Sequence, residues 1–171
     1  MTDPERIPVI IGVGQLNDRP DDPDQGLDSL GLMAAALKIA AEDAGVPLAD
    51  LDSLAIVDQI SFHSLGKLCE PLAAAIGAAP AINYQSAAPH GDTPVRLLNE
   101  AANRIGAGEI KLAAIVGGEA LRTAQAMGAV LQAEVGLVTV LGKGGKQRSV
   151  PVGSHARRAL AEWRGSSGAA G

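Results

Sequence analysis

The chain has 171 residues and a net charge of −5, enough for one ordinary domain with a sizeable core and too few for two full-sized ones. Apolar residues make up 47 % of it but aromatic ones only 2 %, so any core must be filled by Ala, Leu, Ile and Val. No apolar run reaches the roughly 20 residues of a membrane helix, and the opening MTDPERIP has neither the basic nor the apolar region of a signal, so the expectation is a cytoplasmic protein with no membrane partner. Cys69 is the only cysteine, which excludes an intrachain disulfide and a cysteine-rich metal site and reads as a small buried hydrophobe. Charge is unevenly spread. Residues 1–127 hold 17 acidic against 8 basic side chains, and residues 128–171 hold 2 against 6, which suggests two segments with different partners.

In chain order, the β-branched run IPVIIGVG (7–14) predicts a buried strand, followed by the acidic, Pro-rich loop 17–26. Asp28 or Ser29 can cap a helix with Leu30, Met33, Leu37 and Ala41 on one face and Gly45 at its stop. SLAIVD (53–58) predicts a strand, 67–78 a helix despite Pro71, and AINYQ (81–85) another strand. Thr93 can cap the next helix, with Pro94 at its first position and Val95, Leu98, Ala102 and Ile105 as its apolar face before Gly106 and Gly108. IKLAAIVGGE (110–119) returns as a strand, and 120–127 reads as a short helix. This alternation predicts an α/β layer with helices covering a largely parallel or mixed four-stranded sheet, its strands near 8–13, 54–58, 81–85 and 110–117. From about 128 the period changes. GLVTVL (136–141) and QRSVPV (147–152) predict a hairpin joined by GKGGK, then a helix from Ser154 carrying Ala156, Leu160 and Trp163, and a frayed tail over 165–171.

Several short motifs fall away on inspection. GVGQLN (12–17) places Asn17 where a dinucleotide loop needs its third glycine, and LGKGG has Leu137 and Gly144 where a phosphate loop needs Gly and Ser or Thr. The acidic loop lacks the ligand pattern of a calcium-binding hand. His63, His90 and His155 have no metal-ligand spacing, so no metal and no cofactor are expected.

The stretch 81–120, a strand, a turn, a helix beginning near Gly91 and a strand ending GGEA, resembles the nucleophile region of the thiolase superfamily, in particular its sterol-carrier-type, acetyl-CoA acetyltransferase-like members. RIPVIIGVGQ and DSLGLMAAALKIAAEDAGV are similar to the N-terminal half of that family, so the likeness covers about 6–127. It implies an incomplete thiolase-like half-domain and acyl-CoA as the substrate class if a pocket survives. In the family a cysteine at the N-terminus of this helix is acylated, favoured by the helix dipole and a nearby histidine. Here that position is Gly91, flanked by His90 and Thr93 as residues that could contact substrate. His90 otherwise reads as a turn residue. The family's C-terminal half, which supplies a histidine and a second cysteine, has no counterpart in this sequence. The resemblance therefore implies an inactive domain that associates with copies of itself or with a complementing thiolase-like chain.

Residues 136–163, GLVTVLGKGGKQRSVPVGSHARRALAEW, resemble the hairpin and following helix of the tyrosine recombinases. That likeness implies that Lys143 stands where the hairpin lysine enters the DNA minor groove and protonates the leaving oxygen, with Lys146 and Arg148 as further phosphate contacts. A glycine-flanked lysine suits such an approach. The family's arginine motif, His-x-x-Arg box and C-terminal tyrosine are absent, and the sole tyrosine, Tyr84, belongs to the thiolase-like part. The sequence thus reads as a chimera of segments 1–127, 128–164 and a tail 165–171, catalytically inert, with a DNA-binding recombinase remnant of weak non-specific affinity, or a fusion product without selected function, as the alternatives.

Overall fold

The computed structural model describes residues 6–129 and, as backbone, 136–141 and 147–152. The chain divides into two compact units, Met1–Ala129 and Val130–Gly171. The expected helix from Ser154 and the tail 165–171 lie outside the described residues.

In the first unit helix α1 (Ser29–Ala44) is followed by β1 (Ser53–Ile56), α2 (Cys69–Ile76), β2 (Ile82–Gln85), α3 (Thr93–Ala107), β3 (Ala113–Val116) and the short α4 (Leu121–Ala126). The strands form one parallel sheet in the order β2-β1-β3, with Ser53 beside Ile82 and Ala113, and Ile56 beside Gln85 and Val116. All four residues of the central β1 are buried, as a parallel strand covered on both faces requires. Leu54 and Ile56 join Met33 and Leu37 of α1, Leu72 and Ile76 of α2, and Val116 in the main core. The alternate residues Ser53 and Ala55 point the other way, toward the face on which α3 crosses from β2 to β3.

Local signals set the element ends. The Asp28 carboxylate accepts the Gly31 N–H at 2.7 Å and caps α1, and Gly45 closes it at φ 66°, a conformation that suits a residue without Cβ. Pro71 stands in the first turn of α2, where its missing N–H costs no helix bond. The expected strand 110–119 is shortened to four residues because the Lys111 and Leu112 N–H groups donate to the Asp52 carboxylate, at 2.8 and 3.0 Å, rather than to a neighbouring strand.

Two expectations are corrected. Residues 7–14 are not a strand. Among the described residues the sheet ends at β3 and a cavity of about 650 Å³ lies between 7–12 and 111–115, so the segment has no ladder partner among them. Its backbone rests on α1 instead. The Val13 N–H donates to Asp43 at 2.9 Å, and a Cβ on Gly12 or Gly14 would collide with the carbonyl of Ala40 or Ala36. Propensity for a strand yields where no edge is within reach to satisfy its N–H and C=O groups. The second correction concerns α3, whose buried residues are Thr93, Leu97 and Ala101, while Val95 and Leu98 are exposed. Its cap is Asp92, not Thr93, and Asp92 serves through its backbone carbonyl, which accepts the Arg96 N–H at 3.1 Å.

In the second unit β4 (Gly136–Leu141) pairs with β5 (Gln147–Val152) as an antiparallel hairpin with Val140 opposite Arg148, as the alternation of the two runs predicts.

Candidate functional site

A parallel sheet of order β2-β1-β3, in which the chain leaves β1 toward one side and crosses back to the other, opens a crevice beyond the carboxyl ends of β1 and β3. Ligands of doubly wound α/β folds bind in such crevices. Three loops meet there: 57–68 after β1, 86–92 after β2 and 117–120 after β3.

Much of the crevice is closed by polar groups that satisfy one another. The Glu119 carboxylate accepts the N–H groups of Ile60 and Ser61, at 2.9 and 3.1 Å, together with the Ser61 hydroxyl. Ser61 Oγ in turn accepts the Ala120 N–H at 2.8 Å. Gln59 is buried, takes the Ser29 hydroxyl and the Phe62 N–H on its amide oxygen, and donates to the Phe62 carbonyl at 2.8 Å. Gln85 bridges Asp58 Oδ1, at 2.5 Å, and the Leu68 N–H, at 2.7 Å. The Ser86 hydroxyl accepts the Asp58 N–H at 2.8 Å. Ser61 is fully buried, and its hydroxyl is held between the Glu119 carboxylate and the Ala120 N–H, so this network fastens loops. Sequence reasoning passed over Gln59, Ser61 and Gln85. Polar residues immediately after short apolar strands were the available signal.

His90, Gly91 and Thr93 come together where the β2 loop enters α3. The His90 N–H donates to the Ala88 carbonyl and the His90 carbonyl accepts the Thr93 N–H, each at 3.1 Å. His90 and Gly91 are exposed, whereas Thr93 is buried. A Cβ placed on Gly91 meets nothing within 4 Å, so the position would accept a side chain that the sequence does not provide. Cys69 is elsewhere, at the start of α2 and packed against the core. Burial, and then the charge of Glu70, pushes its thiol up, away from the reactive thiolate. Tyr84 lies on β2, where burial and a 3.0 Å hydrogen bond to Glu100 raise its phenol, again away from nucleophilic form. Among the described residues no group of three or more His, Cys, Asp or Glu could hold a metal ion, and no helix is long and apolar enough to cross a membrane. Arg148 lies on β5; Lys143 and Lys146 lie outside the described residues.

The first unit is thus a small doubly wound α/β layer with Gly91 and the exposed His90 at the helix entry of its carboxyl-end crevice. Comparison with known proteins gives each part of the chain its own relative. The structure is similar to a monomeric SCP2-thiolase like protein type 1 from Mycobacterium smegmatis, with a TM-score of 0.55 and 29 % identity over 67 % of this chain and 23 % of that one. The sequence is similar to tyrosine recombinase XerC of Xanthomonas axonopodis pv. citri (strain 306), 69 % identical over 39 residues, 23 % of this chain and 13 % of the relative. XerC of Xylella fastidiosa (strain M23) is 63 % identical over 38 residues, which cover 22 % of this chain and 13 % of that protein. No protein-family model matches the chain. The chain joins a thiolase-like α/β part to a recombinase-like segment, and it spans less than a quarter of the length of each of these relatives.

Proposed function

We propose that the chain is a thiolase-type acyl-CoA acyltransferase domain that has lost acyl transfer, fused to a recombinase-derived hairpin. The observation that carries this reading is Gly91. The thiolase-like fold brings the β2–α3 junction to the carboxyl end of the sheet, and the residue there has no atom to acylate. Cys69 and Tyr84 do not replace it, because both sit on other elements with raised pKa values. Purified protein incubated with acetoacetyl-CoA and CoA is expected to give no thiolysis, and its intact mass to carry no acyl adduct. Gly91→Cys is expected to add a thiol that iodoacetamide alkylates well before Cys69, since it is exposed and at a helix N-terminus. Acylation of the natural chain within 90–93 would overturn the reading.

A second reading is favoured by the 69 % identity to a DNA recombinase. On it, Lys143, Lys146 and Arg148 contact phosphates and the chain binds DNA without cutting it. A covalent link between Tyr84 and nicked DNA would defeat both readings.

A further inference from the structure

We draw no further inference here: the strongest candidate, the apolar patch that Val9, Ile10 and Val13 expose on the segment preceding α1, carries nothing, because nothing in the structure shows what covers it.

Discussion

Asp52 shows how one side chain can join two strands that are far apart in sequence. Its carboxylate accepts the N–H groups of Lys111 and Leu112, and its own N–H donates to the Leu112 carbonyl at 3.0 Å, so the entry of β3 is clipped to the entry of β1. Those two backbone donors, the largest influences on the group, hold its pKa below the ordinary carboxylate value. A lowered folded-state pKa contributes stability that is present above the unfolded value, about 3.9, and is lost as the pH falls through the folded one. Asp52→Ala is accordingly expected to lower stability by about 1–2 kcal/mol at pH 7, or roughly 5 °C in melting temperature. The gap between the two proteins should begin to close as the pH drops below about 4 and go on closing as it falls through the lower folded-state value, where Asp52 too becomes uncharged. Melting curves from pH 7 to pH 3 check this; a gap that stays constant would mean the clip is not electrostatic. None of this was legible in the sequence, where Asp52 is one acidic residue among many. The glycine at position 91 was legible, because the position can be counted from the helix and the GGE that follow it.

At the scale of elements the sequence located every described α-helix and three of the four strands expected in the first unit, since capping residues, glycine stops and apolar runs are local properties. Facing was harder to read. Along α3 the spacing of Val95, Leu98, Ala102 and Ile105 is as regular as that of Thr93, Leu97 and Ala101, and only the sheet decides which stripe is buried. Leu98, Ala102 and Ile105 instead line the cavity beside β3, so α3 is apolar on two sides because it bounds two different spaces. Leu97→Ala should cost about 2–4 kcal/mol in urea unfolding, the usual loss for a buried leucine. Val95→Ala should stay within about 0.5 kcal/mol. Comparable losses at the two sites would return the buried face to the one read from spacing alone. The segment 7–14 failed as a strand for the same non-local reason. Its residues suit a sheet, but no edge lies within bonding reach.

Across the whole molecule the division of charge matters more than its total. The −9 carried by residues 1–127 repels a phosphate backbone, while the +4 of residues 128–171 attracts it. Any DNA binding by the full chain is therefore a contest between its parts, and it is expected to be non-specific and weak, in the range of about 10⁻⁴ M or poorer at physiological salt. If Lys143, Lys146 and Arg148 each neutralise one phosphate, the logarithm of the binding constant should fall with that of the salt concentration at a slope of about −3, following the ~0.9 released counterions per contact. Binding should then weaken roughly fortyfold to sixtyfold between 50 and 200 mM salt. Lys143→Ala should reduce the slope by about one without changing the preference among DNA sequences, because a phosphate contact fixes position and carries no base information. Fluorescence anisotropy on two unrelated duplexes over a salt series measures both quantities. A slope near zero would assign the basic residues no contact with DNA, and a preference for one duplex that disappears in Lys143→Ala would mean that the hairpin reads sequence.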